Sequence, residues 1–289
     1  MYIGARRFSR WLALLLAGLM LFGCVSFEEK EREWIFRPSK AEWRGYSDNR
    51  VTFEERWIEV NGGRERLNAW WLPAASPDAP VLLYLHGSRW NLTGSVTRIP
   101  RWQRLGFSVL AIDYRGFGKS DGDIPSEASV YEDAQAAWNY LKQAMPLRQR
   151  YIAGHSLGGA VAVELARHNP DVSGLVLEAT FTSVPDMVKE SNWGFLPLLG
   201  FITQRFDALE KIGEIKTPML LVHGTQDAIV PTHMSRQLYE AARAPKKLII
   251  VEGGTHHNLN AIAFEEYRSA LREMFGIGGA AVAAAAGGS

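Results

Sequence analysis

Tyr151-Ile152-Ala153-Gly154-His155-Ser156-Leu157-Gly158-Gly159-Ala160 is the stretch that decides how this chain is read. An apolar, strand-like run ends at Ala153, and the next five residues fit G-x-S-x-G. The spacing of Ala160, Val161, Val163, Leu165 and Ala166 then predicts a helix. Strand, sharp turn and helix together present a serine hydroxyl above the end of a sheet, at the positive end of the following helix. The turn strains the serine backbone, and small residues two positions to either side leave room for the neighbouring strand and helix. Ser156 is therefore the candidate nucleophile.

Working outward, the same alternation recurs along the chain. Val81-Leu82-Leu83-Tyr84-Leu85 is a continuous apolar run, as expected of a strand buried on both faces. Further apolar runs lie near 107–112, 150–154, 174–179, 218–223 and 247–251, and helix-like stretches near 97–105, 127–144, 157–168, 233–243 and 259–275. Strand followed by helix, repeated, predicts an α/β fold: a mostly parallel sheet with helices on both faces. Residues 56–61 and 66–72, joined through Asn61-Gly62-Gly63, predict an N-terminal hairpin. Residues 183–212 interrupt the alternation with Trp193, Phe195, Leu196, Leu198, Leu199, Phe201, Ile202 and Phe206, and are too long for a simple crossover. A short lid insertion is expected there.

A serine hydroxyl needs a base, and the base needs an orienting carboxylate. In a strand–elbow–helix fold these follow the serine in the order acid, then histidine. Leu220-Leu221-Val222-His223-Gly224-Thr225-Gln226-Asp227 places Asp227 just beyond a late strand, as the acid. The last strand runs into Glu252-Gly253-Gly254-Thr255-His256-His257. The Gly253-x-x-His256 spacing favours His256 over His257 as the base, with His257 left to line the pocket. Two backbone N–H groups are needed for the oxyanion. The expected donors are Leu157, directly after the nucleophile, and Ser88 in the loop His86-Gly87-Ser88-Arg89, with Arg89 as the second choice there. His86 precedes the other groups in the chain and is expected to hold that loop.

These motifs, together with Asp113-Tyr114-Arg115-Gly116-Phe117-Gly118-Lys119-Ser120, resemble those of α/β-hydrolases of the BEM46-like group, which includes eukaryotic ABHD13- and ABHD17-type serine hydrolases. The resemblance covers roughly residues 55–275. It implies the α/β-hydrolase fold and hydrolysis of an ester or thioester, often of an acyl or lipid-like group, through an acyl-enzyme. Related proteins commonly carry asparagine where this chain has Ser88, and the bulky Arg89-Trp90 follow. Peptidase, thioesterase or acyltransferase chemistry on the same triad is the alternative, because fold does not fix function. A non-catalytic envelope lipoprotein is a further one, opposed by the intact serine, acid and histidine. Halide or epoxide chemistry is disfavoured, since related enzymes for those use aspartate at the position of Ser156.

The 289 residues include 32 basic and 31 acidic ones, for a net charge of +1. No basic stripe stands out, so nucleic acid is not an expected partner. No cysteine–histidine cluster has zinc-site spacing, and Gly116-x-Gly118 lacks the third glycine of a dinucleotide-binding loop, so neither metal nor nucleotide cofactor is implied. Residues 1–23 have a basic start (Arg6, Arg7, Arg10) and an apolar run from Trp11 to Phe22, too short to span a bilayer, as in an export signal. The run ends in Leu21-Phe22-Gly23-Cys24, which resembles a bacterial lipobox with Cys24 as the lipidated residue. Loss of the three arginines takes the charge from +1 to −2. Val25 after Cys24, by resemblance to lipoprotein sorting in Gram-negative bacteria, implies the outer membrane, with the chain facing the periplasm. The expected organisation is a lipoprotein signal peptide over 1–23, an N-terminal spacer over 24–54 that partly packs on the domain, a hydrolase domain over 55–277 and a Gly/Ala-rich disordered tail over 278–289.

Overall fold

The computed structural model describes residues 27–47, 51–191 and 199–277. The signal peptide, Cys24 and the tail lie outside these residues. Eight strands form one sheet in the order β1-β2-β4-β3-β5-β6-β7-β8. β1 (Glu54–Val60) and β2 (Glu65–Leu72) are the expected hairpin, antiparallel and closing with Val60 opposite Glu65. Asn61, Gly62 and Gly63 turn it with φ of 51°, 65° and 81°, and consecutive positive φ values match the twist of a tight hairpin. β2 also runs antiparallel to β4 (Ser108–Ile112). From there β3 (Val81–Leu85), β5 (Arg150–His155), β6 (Gly174–Glu178), β7 (Met219–Gly224) and β8 (Lys246–Val251) are joined in parallel.

Side chains alternate across the sheet with a period of two, and each face has its own core. On one face Leu83, Leu85, Ile152, Leu177 and Leu221 pack with helices α3 (Glu127–Ala144) and α4 (Leu157–His168), burying Trp138 and Val161. On the other, Leu82, Tyr84, Ala153, Val176 and Val222 pack with α2 (Ile99–Arg104) and α9 (Phe264–Phe275), burying Trp102 and Tyr267. The stretch 259–275, expected as one helix, is two. α8 (Leu259–Ile262) and α9 part at Ala263, whose φ/ψ of −103°/28° is not helical. α7 (Thr232–Ala241) lies between β7 and β8 in the chain. β3 leads to β4 on one side and β4 leads to β5 on the other. That reversal leaves a crevice beyond the carboxyl ends of β3 and β5, where ligands bind in open parallel sheets.

The stretch expected to form a lid divides in two. α5 (Val184–Glu190), a turn at Leu199–Phe201 and α6 (Ala208–Ile212) are described, whereas Trp193, Phe195, Leu196 and Leu198 fall outside the described residues. Its far end belongs to the core: Phe206 is fully buried, edge-on to Phe36 at 5.8 Å and to Tyr131 at 5.6 Å.

The N-terminal segment is a strap across the site end of the sheet. Residues 27–36 are helical (α1). Glu31 accepts hydrogen bonds from the Thr203 hydroxyl and N–H at 2.6 and 2.8 Å. Phe36 O accepts from Arg89 N–H at 2.8 Å, Ser39 O from Gly118 N–H at 2.9 Å, and Thr93 Oγ1 from Trp43 N–H at 2.8 Å.

Phe206→Ala is expected to cost about 3–5 kcal/mol of stability, as for other buried phenylalanines. Urea denaturation monitored by tryptophan fluorescence measures it. A loss under about 1 kcal/mol would show that this end of the stretch is not part of the core.

Candidate active site

Ser156 stands between β5 and α4 with φ 55° and ψ −121°. Few L-residues adopt this backbone, at a cost of about 1–3 kcal/mol that the surroundings must sustain. They do so by contact and by one hydrogen bond. Ser156 N–H donates to Glu178 O at 2.8 Å, which ties the turn to the end of β6. A Cβ on Gly154 would lie 2.2 Å from Gly158 O, and one on Gly158 would lie 2.1 Å from Leu85 O. The turn therefore closes this tightly only with hydrogen as the side chain at both positions. Ser156 is largely buried and sits at the amino end of the 12-residue α4, where the helix dipole favours negative charge.

Asp227 lies in the loop after β7, with its carboxylate fully enclosed. Oδ1 accepts the N–H groups of Ile229 and Val230 at 2.8 and 2.9 Å. Oδ2 lies 2.8 Å from His256 Nδ1 and 3.1 Å from His223 Nε2. Burial alone would raise its pKa, but hydrogen bonds from His223, His256 and the Val230 N–H together hold it well below the usual carboxylate range.

His223 went unrecognised in the sequence, where it reads as the start of His-Gly-Thr-Gln-Asp. It is fully buried, with Nδ1 2.6 Å from Ser235 Oγ and Nε2 2.9 Å from Val230 O. Its position four residues before Asp227, at the end of a buried strand, was the available signal.

His256, between β8 and α8, is the histidine brought to Asp227. Burial pushes its pKa below the ordinary value, and the Asp227 carboxylate only partly opposes this. Its resting form is thus the neutral imidazole. With Nδ1 committed to Asp227, Nε2 is the nitrogen left for proton transfer. Its ring centroid lies 4.8 Å from that of His155, the neighbour of Ser156. His257 packs edge-on against His256 at 5.1 Å and is exposed.

The loop after β3 runs beside Ser156. A Cβ on Gly87 would come within 3.1 Å of Ser156 Cβ. Arg89 was the second choice as a donor from this loop, but its N–H is bound to Phe36 O. Arg89 and Trp90 both have positive φ, 65° and 57°, which turns that stretch toward the strap. Ser88 remains as the candidate. His86 is buried, with Nδ1 2.7 Å from Gly87 O and Nε2 3.3 Å from Asp113 Oδ1, packed against Tyr114 and Phe117. These contacts fasten the loop to the end of β4. Beside Asp227 an open groove of about 580 Å³ is lined by Trp34 of the strap with Met187, Ile229 and Pro231.

The family described as serine aminopeptidase, S33 (Hydrolase_4) matches residues 76–206 and 197–261. An uncharacterised protein of Mycobacterium tuberculosis is 32% identical over 251 residues, 86% of each chain. Protein bem46 of Schizosaccharomyces pombe is 37% identical over 184 residues, 61% of each chain. Lysophosphatidylserine lipase ABHD12 of Danio rerio is 32% identical over 198 residues, 62% of this chain and 51% of that one. Among solved structures, an esterase of Pyrococcus furiosus superposes with a TM-score of 0.67 at 20% identity, over 82% of this chain and 99% of that one, which is a likeness of fold.

Gly158→Ala is expected to lower stability by about 1–3 kcal/mol through overpacking against the end of β3. A thermal melt at unchanged Tm would show that the elbow and β3 are not in contact at this point.

Proposed function

The chain belongs to the Hydrolase_4 family of α/β-hydrolases, and on that premise we propose that it cleaves carboxylic or thio esters with Ser156 as nucleophile, His256 as general base and Asp227 as the acid that orients it. The observation that carries this reading is the 2.8 Å hydrogen bond from His256 Nδ1 to an enclosed Asp227 carboxylate, with the His256 ring 4.8 Å from that of His155, next in the chain to a serine on a strained elbow.

Ser156 Oγ attacks the acyl carbonyl carbon while His256 Nε2 takes its proton. Asp227 stabilises the imidazolium that forms. The oxyanion is taken up by the N–H groups of Leu157 and Ser88, the first at the amino end of α4. His256 then protonates the leaving alcohol or thiol as the tetrahedral species collapses to the acyl-enzyme. Water, deprotonated by His256, attacks the acyl carbon and releases the acid and Ser156. The groove beside Asp227 offers the acyl group apolar surface from Trp34, Met187, Ile229 and Pro231, alongside the polar Glu190 and Ser191. Relatives such as the lysophosphatidylserine lipase support an ester of this kind. The aminopeptidase description of the family supports amide cleavage as the second reading.

Hydrolysis of p-nitrophenyl esters of increasing acyl length is expected for residues 25–289, and loss of it in Ser156→Ala. Asp227→Asn is expected to lower kcat by about 10⁴-fold. The base works only when neutral, and its pKa lies below the ordinary histidine value of about 6.5. The rise of kcat/KM with pH is therefore expected to be half complete below pH 6.5. Turnover of aminoacyl p-nitroanilides with none of the esters would favour the peptidase, and neither turnover nor fluorophosphonate labelling would sink the hydrolase.

The lipobox-like Leu21-Phe22-Gly23-Cys24 supports a place at the bacterial cell envelope, with Cys24 as the lipidated residue. A dually acylated cysteine anchors firmly, each buried CH₂ contributing about 0.8 kcal/mol. Incorporation of an alkyne fatty acid in cells should vanish in Cys24→Ala; equal incorporation would refute the anchor.

A further inference from the structure

Behind the base lies a buried pair of opposite charges. Arg98, just before α2, is 6% exposed, and Glu178, the last residue of β6, is 1% exposed. Arg98 Nε lies 3.5 Å from Glu178 Oε2, and Tyr267 of α9 donates its hydroxyl to Glu178 Oε1 at 2.5 Å. Desolvating two charges costs as much as their attraction returns, so such a pair is poor evidence of a purely stabilising role.

What the pair reaches is the loop of the base. Arg98 Nη2 donates to the main-chain oxygen of His257 at 3.0 Å and lies 3.4 Å from that of His256. The His256 oxygen also receives His155 Nε2 at 2.8 Å. Glu178 meanwhile accepts the Ser156 N–H with its own main-chain oxygen. One residue thus holds the nucleophile by its backbone and the base, through Arg98, by its side chain. His155, next in the chain to the nucleophile, makes the second tie.

We propose that Arg98, Glu178 and His155 form a clamp that fixes the main chain of His256 relative to Ser156, and that they are positioning residues for the acyl transfer proposed above. The clamp rests on that reading for its purpose and on the contacts just given for its existence. The hydrogen bond to Asp227 fixes only the ring of His256. The N–H groups of Gly253 and Gly254 before it are tied to Thr225 Oγ1 and Val251 O, which leaves the orientation of its own carbonyl and that of His257 free. Donors on two successive carbonyl oxygens remove that freedom without touching substrate. The groups facing His256 are Asp227 and His223 from β7 and its loop, His155 from the elbow, its neighbour His257, and Arg98 from the turn before α2. Arg98 is the fixed cation among them, so its charge opposes protonation of the base.

The test uses the full chain with Arg98→Met and Glu178→Leu combined, which removes both charges together and leaves neither buried alone. Expected are a cooperative urea transition, a kcat about 10²-fold lower, as for a catalytic group displaced by about 1 Å, and a KM within about twofold. A sharp downfield NMR resonance of the His256 Nδ1 proton is expected in the wild type and should broaden or vanish in the variant. Arg98→Lys keeps the charge but has one nitrogen where Arg98 turns Nη2 to the carbonyl oxygens and Nε to Glu178; it should lose part of kcat and leave the acid limb of the pH profile in place. Arg98→Met alone should move that limb to higher pH.

A folded double variant with wild-type kcat and an unchanged downfield resonance would overturn the clamp. If the double variant does not fold, Arg98→Lys and His155→Phe decide, and wild-type kcat and resonance in both would overturn it equally. Absence of ester and anilide turnover and of fluorophosphonate labelling in the wild type, with the resonance still lost on mutation, would refute the hydrolase and leave the clamp standing.

Discussion

The strained backbone of Ser156 is the constraint around which the rest is arranged. A conformation of φ 55° and ψ −121° does not persist by itself; it persists because β3, β6 and α4 close on it from three sides. The close approach of Leu85 O to Gly158, the hydrogen bond from Ser156 N–H to Glu178 O and the start of α4 at Leu157 are all consequences of forming that turn. The crevice at the reversal between β3 and β5 supplies the space above it.

Electrostatics divides labour around this turn. One carboxylate, Asp227, serves two imidazoles through a single oxygen, while its other oxygen is held by two backbone N–H groups. His223 is fully enclosed and bound to Ser235 and Val230, so it holds Asp227 from the interior. Only His256 has a ring nitrogen left over. Burial keeps that ring neutral at rest, whereas the enclosed carboxylate stands ready to stabilise its charged form. The same low-polarity surroundings that depress the basicity of His256 strengthen its bond to Asp227.

Much of this was legible in the residues. Apolar runs marked β3 to β8, most of them buried on both faces, and alternation about Asn61-Gly62-Gly63 marked β1 and β2. Gly-x-Ser-x-Gly, Asp227 and His256 were legible because a steric requirement or a strand end places each of them. What escaped were contacts between distant parts of the chain. No local pattern announces that Arg98 pairs with Glu178, or that Arg89 spends its N–H on Phe36 O. His223 was hidden inside a strand where a buried polar residue reads as an exception. Residues 183–212 looked uniform in composition, yet Phe206 at their far end packs between Phe36 and Tyr131. Apolar composition does not say which neighbour will cover a side chain.

The strap, finally, carries a consequence for the order of assembly. It is the earliest described part of the chain to be synthesised, but the groups it binds come much later: Arg89 and Thr93, then Gly118, and Thr203 at a separation of 172 residues. Closing loops of that length is entropically slow and waits on other contacts. The sheet can be complete while the loop beside Ser156 still lacks Phe36 O for its Arg89 N–H. The loop beside Ser156 thus takes one of its hydrogen-bond partners from a segment that precedes the whole sheet in the chain.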